Sequence, residues 1–212
     1  MTVAKDLCFL SDNAVQYAQS VDRDVSAGGP DPRSMCFWNI CNRIKISEEI
    51  MTFYERSWGS DSFPDVDGDT ENELVDRVIT ITKDLFIDTV SAIEKCVKDS
   101  LSLYPGIGLR EAALSKGSHL YIRNVIQCSA EKGIIDRKVF EEWDDILVMR
   151  NLTAHNNSIS DRSKKYTIGG ITISMRPGRM MKGPLSTFIV LTGRIIDLFY
   201  GWIEAMGSFT DS

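Results

Sequence analysis

Apolar residues recur at spacings of three and four along most of this chain, and that period restricts its fold more than any other property. From about Ala4 to Ser26, Leu7, Leu10, Ala14, Tyr17 and Val21 share one stripe, which "AGGPDP" then breaks. A second helical region is expected to start near Ser34. Met35, Phe37, Ile40, Cys41 and Ile44 form one stripe in it and Ile50, Phe53 and Tyr54 another, with Ser47 between them as a candidate N-cap. "GSDSFPDVDGDT" reads as a loop. Thr70 and Glu73 have the spacing of a capping box and predict a long helix to about Leu103, ended by "YPGIG". A further helix is expected over about Leu109 to Lys132, stopped by Gly133, and another opens at Asp136.

The period changes once. "KYTIGGITISM" sets a Gly-Gly pair between two short β-branched runs and reads as a hairpin over about 165–176. Helical spacing returns near Leu185 and continues through Phe188, Leu191, Ile195, Leu198, Phe199 and Trp202 to about Met206. The 212 residues, 43% of them hydrophobic, can bury one substantial core. The expected fold is therefore all-α: a single domain over 1–212, built as an antiparallel helical bundle with a small β-hairpin inserted before the last helix.

Several functions are disfavoured. The N-terminal "MTVAKDLCFLSDNAVQYAQS" lacks the basic start and apolar run of a secretory signal, and no stretch reaches the roughly 18 apolar residues of a membrane span. A cytoplasmic protein without membrane partners is the expectation. Cys8, Cys36, Cys41, Cys96 and Cys128 form no C-x-x-C and are odd in number, so they read as reduced thiols on buried helix faces. With His119 and His155 the only histidines, no zinc site is expected. The acidic run Asp65 to Asp76 has the look of a calcium loop, but Thr70 stands at its sixth position and Asp76 at its twelfth, where glycine and glutamate are needed. A capped acidic loop is the better reading.

Net charge is −6, from 24 basic and 30 acidic residues, which taken alone disfavours nucleic-acid binding. The distribution differs. Between Arg162 and Ile196 there is no Asp or Glu, while Arg162, Lys164, Lys165, Arg176, Arg179, Lys182 and Arg194 supply seven positive charges, leaving −13 on the remainder. That segregation fits an anionic-ligand site on an acidic body, or a plain solvated basic hairpin.

One stretch stands out against the helical pattern: "VMRNLTAHNNS", residues 148–158. At about 100° per residue, Val139, Phe140, Ile146, Leu147, Arg150 and Ala154 lie within about 60° of Trp143. Arg150 is thus on the apolar stripe, and its guanidinium must meet a carboxylate, a row of carbonyls, a partner chain or an anionic ligand. His155 lies about 140° round the helix from Arg150, whereas Asn151 and His155 share a face.

Arg150-Asn151-Leu-Thr-Ala-His155 resembles the R-x(4 to 6)-H signature of the HEPN superfamily, in which Asn, Asp or His commonly follows the arginine. The setting is also similar to HEPN architecture over roughly Thr70 to Met206, with residues 1–60 and the hairpin as elaborations. The resemblance implies a metal-independent, cofactor-free endoribonuclease, a toxin or defence effector with a cognate antitoxin or inhibitor. It would work as a homodimer with two motifs facing one cleft. His155 would move protons between the ribose 2′-OH and the leaving oxygen, Arg150 would hold the scissile phosphate, and Asn151 would orient the imidazole or the ribose. Arg162, Lys164, Lys165, Arg176, Arg179 and Lys182 would then form basic walls that bind RNA. Two alternatives stand beside it: a non-catalytic helical dimer that binds nucleotide, RNA or a protein, and a scaffold in which Arg150 is a buried ion pair.

Overall fold

The computed structural model describes residues 3–24, 31–58, 73–155 and 158–210. Among them the fold is helical with one hairpin: α1 (Val3–Asp24), α2 (Pro32–Trp58), α3 (Glu73–Ser100), α4 (Leu109–Leu114), α5 (Ile122–Glu131), α6 (Arg137–His155), β1 (Lys164–Ile168), β2 (Ile171–Met175) and α7 (Thr187–Thr210). The capping box at Thr70 and the acidic calcium-like loop up to residue 72 lie outside the described residues.

The second helical region is one unbroken helix. Asp31 caps it by accepting from the backbone N–H of Arg33 at 2.7 Å, and Pro32 takes the first position, where a missing N–H costs nothing. Ser47 is not a cap. Its hydroxyl donates to the carbonyl of Arg43 inside the helix at 3.1 Å. The expected helix from Leu109 to Lys132 is two, because Ser115 to Tyr121 leaves the helix between α4 and α5. Gly133, with φ 75°, follows α5 as the sequence predicts.

The first three long helices run successively antiparallel: Ala4 donates to Glu55 and Trp38 to Asp22 across α1 and α2, while Cys96 donates to the Pro32 carbonyl and Arg77 lies over the Tyr54 ring across α2 and α3. By contrast α7 runs parallel to α1. Tyr17 donates to Asp197 at 3.0 Å, and Tyr200 pairs with Ser20 at 3.1 Å. One core joins all these elements, with Leu7, Phe37, Phe86, Trp143, Phe199 and Trp202 among its buried side chains, so α1 and α2 are part of the same core as the rest. Cys36, Cys41, Cys96 and Cys128 are buried free thiols; Cys8, also free, is exposed, contrary to expectation, because it stands on the outer side of α1 beside Glu48.

The hairpin pairs Lys164 with Met175 through to Ile168 with Ile171, so it begins and ends one residue earlier than the sequence reading. Gly169 and Gly170 turn it with φ 55° and 80°, the left-handed pair a tight hairpin turn needs. Tyr166, Ile168, Ile173 and Met175 point inward, and a Cβ on Gly169 would come within 2.6 Å of Val190 of α7. Beyond β2 the chain doubles back: Lys182 pairs with Ser174, and Met180 bridges to Ile159.

Candidate functional site

The motif forms the last two turns of α6. Trp143, Ile146 and Leu147 are buried, but the buried face then swings to Met149, Leu152 and Thr153, roughly 100° round the helix. Arg150 is consequently left half-buried at the rim, and Ala154, expected on the core stripe, is exposed.

Among the described residues no carboxylate lies within ion-pair distance of Arg150, so the interior ion pair does not form there. Its Nη1 donates to the side-chain oxygen of Asn151 at 3.0 Å, and its Nη2 reaches the Ser91 hydroxyl of α3 at 3.4 Å. The Nε–H is buried and has no hydrogen-bond partner among the described residues. A guanidinium with five donors is thereby held by two neutral acceptors, which leaves capacity for an anion. Ser91, itself donating to the Ile87 carbonyl at 2.8 Å, carried no signal in the sequence.

Asn151 and His155 are both exposed, one turn apart on a shared face. Asn151 holds the arginine rather than the imidazole. Beyond His155, Ser158 closes the helix by donating its N–H to Leu152 at 3.2 Å, in a left-handed conformation with φ 64°.

The basic segment is tied to this end of α6 through its backbone. Ser160 donates to the Arg179 carbonyl at 3.1 Å, and Met181 donates to Ser158 at 2.8 Å. Lys165, Arg176, Arg179 and Lys182 are exposed. The charges are less segregated in space than along the chain: Lys164 pairs with Asp145 of α6 at 3.1 Å, Arg162 with Asp161 at 3.1 Å, and Arg194 with Glu142 of α6 at 2.7 Å. These pairings raise the pKa of each of the three cations, the hydrogen bond to the carboxylate being the main cause.

Two open clefts flank α7. One, of about 180 Å³, lies between Phe9, Asn13, Gly169 and Gly193; the other, of about 290 Å³, lies between Ile135, Val139, Leu198 and Gly201. Both touch Arg194 and Asp197, and neither reaches Arg150, Asn151 or His155. No helix among the described residues is long and apolar enough to cross a membrane. No protein-family model, curated protein or solved structure matches the chain.

Proposed function

We propose that the chain is a metal-independent endoribonuclease of HEPN type, a toxin or defence effector working as a homodimer. The observation that carries this reading is the half-buried Arg150, which among the described residues has no carboxylate partner and an unbonded Nε–H. Two of its N–H groups suit a scissile phosphate and the charge that grows on it during attack by the ribose 2′-OH. His155, exposed at the helix end, carries an imidazole that can exchange protons with the 2′-OH or the leaving 5′-oxygen. Asn151 positions the arginine, and Lys165, Arg176, Arg179 and Lys182 supply cationic surface close to the end of α6 for the RNA backbone.

The second reading is a non-catalytic helical dimer that binds nucleotide, RNA or a partner protein. It is favoured by the position of both clefts away from the motif and by the neutralisation of Arg162, Lys164 and Arg194. Cleavage of a labelled RNA mixture in EDTA, by the wild type beside Arg150→Ala and His155→Ala, separates the two. Cleavage by the wild type alone, leaving 2′,3′-cyclic phosphate ends, is the expected result; equal inactivity of all three with binding retained gives the second reading.

A further inference from the structure

Two of the four buried cysteines meet across α2 and α3. Cys96, in the last two turns of α3, donates its S–H at 3.3 Å to the carbonyl of Pro32, the first residue of α2. In an α-helix that carbonyl also receives the N–H of the residue four further on, which is Cys36, and the Cβ of Cys36 leans back toward the same turn. The two side chains therefore converge, and they hydrogen-bond to one another. Cys41 lies instead near the Ser11 hydroxyl, and Cys8 beside Glu48.

Their surroundings set the two thiols apart. The bond to Cys36, joined by the Ser100 hydroxyl at 3.6 Å, holds the Cys96 thiol below its ordinary value against the effect of burial, and the same bond, with burial added, pushes Cys36 up. Arg33 and Lys95 stand close enough to feel the charge of Cys96, while the carboxylates that oppose them, Asp31 and Asp99, are each paired with one of the two cations. A thiol beside cations is the one that reacts first, and a second thiol in contact with it can resolve the product. Both keep a small opening to solvent: Cys36 and Cys96 are 6% and 5% exposed, against 1% and 2% for Cys41 and Cys128.

We propose that Cys36 and Cys96 form a reversible disulfide on exposure to hydroperoxide, which ties the start of α2 to the end of α3. With hydrogen peroxide, the Cys96 sulfur attacks one oxygen and the O–O bond breaks. That oxygen stays on the sulfur as a sulfenic acid, and the other leaves as hydroxide, which takes the Cys96 proton and becomes water. The Cys36 sulfur then attacks the Cys96 sulfur, the S–O bond breaks, and the hydroxyl leaves as water with the Cys36 proton. Two thiols and one peroxide give one disulfide and two waters; the peroxide gains the two electrons that the sulfurs lose. The sulfurs need only close from contact to about 2 Å. Nothing in this step rests on the reading of Arg150.

Hydrogen peroxide added to the purified full chain, followed by alkylation of the remaining thiols and a non-reducing tryptic map, reads the link directly. Trypsin releases Cys96 on residues 96–98, and Cys36 together with Cys41 on residues 34–43, so fragmentation of the second peptide assigns its sulfur. A Cys36 to Cys96 link is expected, absent before peroxide and removed by a dithiol, with the urea midpoint of the oxidised chain raised by about 1 M. In Cys36→Ser, with circular dichroism unchanged, the link disappears and dimedone traps Cys96 as its sulfenic acid; in Cys96→Ser, Cys36 stays unlabelled. Each of four results would overturn the proposal: both thiols still open to alkylation after peroxide, a link made through Cys41 or Cys8 instead, dimedone on Cys36 in place of Cys96, or an oxidised chain no harder to unfold in urea.

Discussion

Both carboxylate oxygens of Glu142 accept from Arg194, Nε to Oε1 and Nη2 to Oε2 at 2.7 Å each, so a bidentate pair latches the last helix to α6. Arg194 also reaches Asp197, which accepts from Tyr17, and the latch extends to α1.

The side chains of Arg194 and Glu142 are 34% and 28% exposed, so solvent screens much of their attraction. Glu142→Gln is expected to cost about 1 kcal/mol in urea unfolding, with the loss shrinking in high salt. A loss of the same size at every salt concentration would show that the charge contributes nothing.

Tyr17 stacks on Tyr200 with ring centroids 4.1 Å apart and donates to Asp197. Burial, helped by that hydrogen bond, pushes its hydroxyl up to about 12 from an ordinary 10.0. The raised value favours the neutral hydroxyl in the folded chain. Its contribution is therefore complete below pH 10 and is lost as pH rises toward 12. Tyr17→Phe should flatten the fall of stability across that alkaline window, and the late-titrating part of the wild-type tyrosinate absorbance, to which the buried Tyr104 also contributes, should shrink in this variant.

Arg150→Ala removes a half-buried charge held by two neutral acceptors, one of them at 3.4 Å. The expected change in stability is below about 1 kcal/mol, against a fall in RNA cleavage of about 100-fold or more. A melting temperature many degrees lower would instead make the arginine a structural element.

If the basic segment binds RNA, each cation that meets a phosphate contributes about 0.7 to the slope of log affinity against log salt. Lys165→Ala, Arg176→Ala and Arg179→Ala should each reduce that slope more than Lys164→Ala, because Asp145 already neutralises Lys164. Equal reductions for all four would place Asp145 outside the bound complex.

Two buried tryptophans offer a paired comparison. Trp202 donates its indole N–H to the Ser129 hydroxyl at 3.1 Å, whereas the indole N–H of Trp143 has no partner among the described residues. Replacing each with Phe removes similar volume, but only Trp202→Phe loses a hydrogen bond. It should be the costlier substitution by about 1 kcal/mol in chemical unfolding.

Periodicity made the long helices and the hairpin legible, since alternating burial within a helix or strand is written locally in residue order. Where the reading slipped, the cause was also local: Ser47 has the type of a cap but bonds within its own helix, and Ser115 to Tyr121 carries a break that the flanking apolar residues disguise. The "DP" pair carries the start of α2, two residues ahead of the start expected near Ser34. At the motif, the helical wheel put Arg150 and Ala154 on the core stripe, yet the buried face rotates over the last two turns because α3 packs across them at Ser91. That crossing, like the pairing of Lys164 with Asp145 and of Arg194 with Glu142, joins residues far apart in the chain, and spacing within one helix has no means of showing it. The acid-free run from Arg162 to Ile196 is therefore a property of the sequence more than of the surface.

The close approach of Gly169 to Val190 makes the hairpin and the last helix a single lever. A backbone that touches a helix where no methyl would fit cannot tilt independently of it, so a force on the exposed loop at Arg179 is passed through β2 and the turn to α7. Any load the basic loop takes up is delivered to the helix whose Tyr200 stacks on Tyr17 of α1.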